Sequence, residues 1–173
     1  EVFKRHQGFE PPVLQTGLQS IAELEKVILS RRSAREFVLE SIKKEPLEQI
    51  MHFLLQLPQS ISCHIVLMRG EAYRPGLYQD ACLKREGVFI NEIVDLLVHQ
   101  QFIFNASVVL VFSSNSFGAK VLTQTAYFVH TLNLFIHAIG LGMSGVGAFY
   151  DKELQEFLQT QEKILYTAVL GKI

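Results

Sequence analysis

The chain has no tryptophan, only two cysteines and only five prolines in 173 residues. Cys63 and Cys82 cannot build a disulfide framework, and neither has a partner at zinc-finger spacing, so the sequence reads as a protein of a reducing cytoplasm. An excess of either charge is missing as well. Sixteen basic residues stand against 17 acidic ones, so no global positive field exists to gather a nucleic-acid backbone. No signal peptide opens the chain, and its first residue is Glu1 rather than Met, which reads as a processed N-terminus or a piece of something longer. What is present in quantity is apolar surface. With 49% hydrophobic and 19% charged residues, the chain is too apolar for disorder and too interrupted by polar residues for a membrane protein. Its length suits one domain that needs neither disulfide nor metal to hold a core.

Gly8, Pro11, Pro12 and Gly17, with no sustained periodicity around them, predict an extended arm over residues 1–17 and a single domain over 18–173. Ser20 followed by Glu23 is a capping box, and Ile21, Leu24, Val27 and Ile28 continue it as a helix to Leu29 or Ser30. Further helices are predicted over Leu47–Leu57, stopped by Pro58, from Asn91 as N-cap to about His99, and over Lys152–Gln159. His64–Met68, Ala106–Phe112 and Leu165–Leu170 read as buried strands, and Gly145–Phe149 as a Gly-rich, strand-like segment. Val121–Ile139 is the longest helix candidate, about 28 Å at 1.5 Å per residue. Gln124, His130, Asn133 and His137 argue against a membrane span, and a helix apolar almost all round belongs in a protein interior or an oligomer interface. There are no repeats. The order of elements predicts an α+β arrangement.

Two constellations carry chemistry. Arg31-Arg32-Ser33-Ala34-Arg35 places three guanidiniums and a hydroxyl within five residues, a donor set suited to a phosphate dianion. The same residues also suit a solvated basic turn that offsets a helix C-terminus. Gly140–Phe149, GLGMSGVGAF, lets backbone N–H groups approach a flat ligand closely, although tight helix-to-strand turns use glycine too. It lacks the G-x-G-x-x-G spacing of a dinucleotide site. None of the six histidines sits at metal-ligand spacing, so no metal is expected, and the absence of G-x-S-x-G speaks against a hydrolase.

Together these segments resemble the FMN-dependent nitroreductase superfamily, and within it the branch that oxidises thiazolines and oxazolines. The resemblance runs through most of residues 18–173. Arg31 to Phe37 is similar to its R-R-S-x-R-x-F turn, Arg74 to Gln79 to its P-G-L-Y segment, and Gln101 to Ala106 to its Q-x-x-x-x-A lead-in to a strand. Gly140 to Asp151 is similar to its G-L-G…P-x-G-A-F-x-D, and Leu165 to Lys172 to its last strand. The resemblance implies a mostly antiparallel central sheet flanked by helices around a long buried central helix. It also implies a homodimer with FMN at the interface. The phosphate would fall to Arg31, Arg32, Ser33, Arg35 and Lys172, and the edge of the flavin ring to Gly145, Val146, Gly147 and Ala148. Three segments depart from the branch, one of them the central helix, where Gln124, His130 and Thr131 replace the branch's glutamate and Gln-Asn. Its Ser/Gly loop is reduced to Pro58–Cys63, where Ser60 or Ser62 would bond the ribityl hydroxyls. Its Lys-Tyr pair has no counterpart in Ser113–Lys120, leaving Lys120 and Tyr127 as remote substitutes in catalysis.

The resulting expectation is an FMN oxidoreductase that oxidises azoline rings in a peptide by hydride transfer to flavin N5. The same fold also suits an NAD(P)H-dependent reductase of nitro or quinone compounds. A third expectation, from the missing Lys-Tyr pair, is a catalytically silent dimerising or peptide-binding subunit of a biosynthetic complex.

Overall fold

A computed structural model describes residues 20–80 and 82–173; the predicted arm over 1–17 lies outside them. The elements are α1 (Ile21–Ser30), α2 (Lys44–Leu54), β1 (Ser62–Leu67), β2 (Gly76–Gln79), β3 (Cys82–Glu86), α3 (Ile90–Leu96), a 3₁₀ turn (Gln101–Asn105), β4 (Val108–Ser114), α4 (Ala119–Ala138), β5 (Gly142–Val146), α5 (Asp151–Leu158) and β6 (Lys163–Gly171). The six strands form one sheet in the order β3-β2-β1-β4-β6-β5, and every neighbouring pair is antiparallel. This is the predicted α+β class with its antiparallel central sheet.

β4 explains the layering. All seven of its residues are buried, which an alternating side-chain direction allows only when both faces of the sheet are covered. Val108, Leu110 and Phe112 pack with α2 and α4, against Phe53, Phe128, Leu132 and Phe135. Val109 and Val111 face the other way, onto Ile93 and Val94 of α3, Ile103 of the 3₁₀ turn and Leu154 and Leu158 of α5. On the first face the Phe53 ring stacks on Phe135 at 4.8 Å and tilts against Phe128 at 5.4 Å. Nine residues of α4 are buried; Leu122, Ala126 and His130 lie along a face left open.

The N-cap of α1 is as its sequence predicts, with the Ser20 hydroxyl accepting the Glu23 N–H. α2 begins at Lys44, earlier than expected, because Pro46 in a first turn gives up no helical hydrogen bond. α3 begins after Phe89, so Asn91 lies inside the helix and is not its cap. The strand expected at Gly145–Phe149 ends at Val146 and begins three residues earlier, paired with β6. The β2–β3 hairpin was not foreseen. β2 has four residues, and β3 (CLKRE) is an exposed edge strand whose charged residues guard it from further pairing. No helix among the described residues is long and apolar enough to cross a membrane.

Candidate functional site

The arginine turn leaves α1 and runs beside the start of β5 and the end of β6. Ser33 bridges Met143, and the Ala34 N–H donates to the Met143 carbonyl at 3.1 Å. Further on, the Val38 N–H donates to the Lys172 carbonyl at 2.8 Å. Gly142 makes this convergence possible. A Cβ there would lie 2.8 Å from the Ala34 Cβ and 2.3 Å from Ile173 Cγ2, so three chain segments close onto one residue with no side chain. The four cations of this corner differ in their engagements. Arg32 Nη1 donates to the carbonyls of Leu29 at 2.9 Å and Arg31 at 2.8 Å, which closes the C-terminus of α1. The Arg35 guanidinium lies 5.0 Å over the Phe102 ring. Lys172 is ion-paired with Glu40. Arg31 has no acceptor or ion-pair partner among the described residues, and Ser33 is exposed beside it. The basic turn thus splits its work: Arg32 serves the helix end, whereas Arg31 and Ser33 remain open to a ligand.

The other end of β5 offers a different kind of donor. Beyond Val146 the chain leaves the ladder, and the N–H groups of Gly147 and Ala148 find no acceptor among the described residues. Both residues are exposed, and a Cβ on Gly147 would meet nothing within 4 Å. Val146 itself is buried, its carbonyl accepting the Thr167 hydroxyl, so it supports the loop from beneath. Gly145 carries the Tyr166 ring on its face of the sheet; a Cβ at Gly145 would lie 1.8 Å from Tyr166 Oη. Tyr166 stands diagonally across the β5–β6 ladder, since Gly145 pairs with Ala168. It also borders a cleft of about 410 Å³ along α4, lined by Leu122, Thr125, Val129, His130, Asn133 and Leu165 among others. Four residue steps lead from Met143 to Gly147, roughly 13 Å at ~3.3 Å per residue. A site running along β5 thus has an anion-type end and an amide-donor end.

The remaining candidates lie elsewhere. Ser60 and Ser62 flank the start of β1, where the Ser60 carbonyl accepts the Ser114 hydroxyl and Ser62 pairs with Ser113. That is the far end of the sheet from Lys172, and β1 is separated from β5 by β4 and β6. Lys120 and Tyr127 are exposed on α4, seven residues apart and so on one face; neither lines the cleft. Near the serines lies a polar chain that runs from buried His64 and Ser113 out to exposed Asn115. The Ser113 hydroxyl donates to Glu162 Oε2 at 2.6 Å and therefore accepts from His64 Nε2 at 3.1 Å, while Asn115 Nδ2 donates to Glu162 Oε1 at 3.0 Å. Burial lowers the His64 pKa, against the pull of the Glu162 and Asp80 carboxylates. Burial and Asp80 raise that of the Cys63 thiol, which favours its protonated form. Among the described residues no group of three or more His, Cys, Asp or Glu side chains could hold a metal.

Tyr166 and Glu40 are the residues that sequence reasoning missed. Each meets its partner only through strand pairing or the return of the C-terminus, and neither stands in a local pattern.

The family model described as "Nitroreductase family" matches residues 28–172. A Methanocaldococcus jannaschii protein named as a candidate nitroreductase is 26% identical, over 87% of this chain and 91% of its own. Among solved structures, a candidate nitroreductase of Anabaena variabilis superposes with a TM-score of 0.74 at 22% identity; 88% of this chain is covered, and the chain spans 38% of that protein. Nitroreductase A of Vibrio parahaemolyticus gives 0.68 at 18% identity, covering 88% of this chain and 68% of its own. The NADPH:FMN oxidoreductase of Vibrio harveyi, solved with NAD+, gives 0.67 at 17% identity, covering 87% and 68%.

Proposed function

The chain belongs to the nitroreductase family, and from that premise we propose that it is an FMN-dependent oxidoreductase working as a homodimer with the flavin at the subunit interface. The observation that carries this reading is the pair of unlike donor sets along β5. Arg31 and Ser33 at one end suit a phosphate dianion. The open N–H groups of Gly147 and Ala148 at the other suit the polar edge of a flat ring, and roughly 13 Å of chain at ~3.3 Å per residue lies between the two ends. The residues present therefore fit FMN. Bound there, FMN would supply hydride acceptance and donation at its N5. The chain's own part is to hold the phosphate with Arg31, Ser33 and Lys172, to bond the ring edge with Gly147 and Ala148, and to keep the loop in place through Gly145, Val146 and Tyr166. Arg32 and Arg35 act one step back, fixing the turn through the α1 carbonyls and the Phe102 face.

Two features support the dimer. α1 buries none of its residues although Ile21, Ile28 and Leu29 are large and apolar, and the open face of α4 carries Leu122, 39% exposed. Ser60 and Ser62, remote from β5 within one chain, would reach a flavin across that interface.

For the reaction, reduction of a nitro or quinone compound by NAD(P)H is favoured, because Lys120 and Tyr127 stand outside the cleft beside Gly145 and a Vibrio harveyi relative is an NADPH:FMN oxidoreductase. Azoline oxidation is the second reading, supported by the shared α4 face of Lys120 and Tyr127. Titration of the purified protein with FMN, followed by stopped-flow mixing with NAD(P)H, tests the proposal. Flavin uptake and rapid bleaching are expected. Uptake with inertness toward NAD(P)H and turnover of an azoline peptide selects the oxidase. No uptake overturns the FMN assignment and leaves the dimerising or peptide-binding subunit.

A further inference from the structure

Lys172 is one of three groups at the anion end of β5, yet its ammonium is already engaged by a carboxylate. Glu40 reaches it from the segment after the arginine turn, and this carboxylate does not hang from a free loop. The Val38 N–H donates to the Lys172 carbonyl at 2.8 Å, the Glu40 N–H to the Val38 carbonyl at 2.7 Å, and the hydroxyl of fully buried Ser107 to the Glu40 carbonyl at 3.0 Å. Three backbone ties thus hold Glu40 next to Lys172, while both side-chain ends remain half-exposed. Among the described residues Arg31 and Ser33 have no such competitor.

We propose that Glu40 sets the phosphate selectivity of this site by competing with the bound phosphate for Lys172, an inference that rests on the FMN reading above. A dianion arriving at Arg31 and Ser33 meets a lysine whose charge is neutralised and a carboxylate that repels it. Two unit charges a few ångströms apart in water-like surroundings interact by about 1 kcal/mol, so at this half-exposed position the carboxylate weakens phosphate binding by about three- to ten-fold at low salt. The effect shrinks toward nothing as salt screens it. It touches the phosphate only. A flavin without phosphate makes its contacts at the Gly147 end and does not sense Glu40.

The test is titration of the flavin-free protein with FMN and with riboflavin, read by quenching of flavin fluorescence at low and high salt, for the wild type, Glu40→Gln and Glu153→Gln. Glu153 is exposed on α5 and makes the same change in net charge. The expected result is FMN binding tightened about three- to ten-fold by Glu40→Gln at low salt, with riboflavin binding and the Glu153→Gln protein unchanged. Three results overturn the proposal: unchanged FMN affinity in Glu40→Gln, equal tightening for FMN and riboflavin, or an equal gain in Glu153→Gln. If wild type and both variants bind neither flavin, the FMN reading itself falls and the proposal with it. Wild-type binding with no response to Glu40→Gln removes the proposal alone.

Discussion

Replacing Gly145 by alanine tests the contact that joins β5 to the cleft. The new Cβ would stand 1.8 Å from Tyr166 Oη and 2.8 Å from Cζ, so the phenol must move by more than an ångström. The backbone at Gly145 is not left-handed, and the cost is therefore steric. Overpacking of this kind costs roughly 1–3 kcal/mol, partly offset by about 0.5 kcal/mol from the stiffer unfolded chain. The net is a destabilisation of about 0.5–2.5 kcal/mol, or roughly 1–10 °C in the melting temperature of a domain this size. Circular-dichroism melts of Gly145→Ala, Tyr166→Phe and the double variant provide the cycle. Removing Oη leaves Cζ as the first obstacle, so the alanine should cost about half as much in the Tyr166→Phe background, a coupling of roughly 0.3–1.2 kcal/mol. An equal cost in both backgrounds, or no cost in either, refutes the packing of Tyr166 on Gly145.

Four further outcomes follow from the same geometry. Phe53→Ala removes a ring that is 2% exposed and packed on both Phe128 and Phe135; a loss of about 3–5 kcal/mol in chemical denaturation is expected. His64 has its folded pKa below the ordinary value because burial disfavours the imidazolium. The neutral form thus stabilises the fold above the unfolded pKa of about 6.5, and this contribution is lost as pH falls from there through the folded value. Melting temperatures measured from pH 8 to pH 5 should fall more steeply for the wild type than for His64→Gln. Arg31→Ala should weaken FMN binding by about ten-fold or more, as expected for a lost charge-assisted contact to phosphate. Arg35→Ala should instead cost about 0.5–1 kcal/mol of stability through its lost seat on Phe102, with a smaller effect in the same FMN titration.

Much of the fold was legible because its signals are local. The Ser20 capping box, the β-branched run that became β4 and the long apolar period of α4 are each written in neighbouring residues, and hydrophobic period specifies which face turns inward. The β2–β3 hairpin was not legible. Its strands are short, its edge residues are charged, and nothing in CLKRE differs from a solvated loop until β2, itself paired with β1, supplies a partner.

The candidate site divides in the same way. The residue types suited to a phosphate and to a ring edge, and their order along the chain, came from the sequence. Which of the cations remains free to act came from tertiary structure alone. Arg31, Arg32 and Arg35 are chemically alike and within five residues of one another, yet one is open, one closes a helix end and one lies on an aromatic ring. Lys172 meets Glu40 across 132 residues, and Tyr166 meets Gly145 across an antiparallel ladder. Local composition decides what a side chain can bind, whereas its occupation is decided by neighbours that only the return of the chain through the sheet can bring.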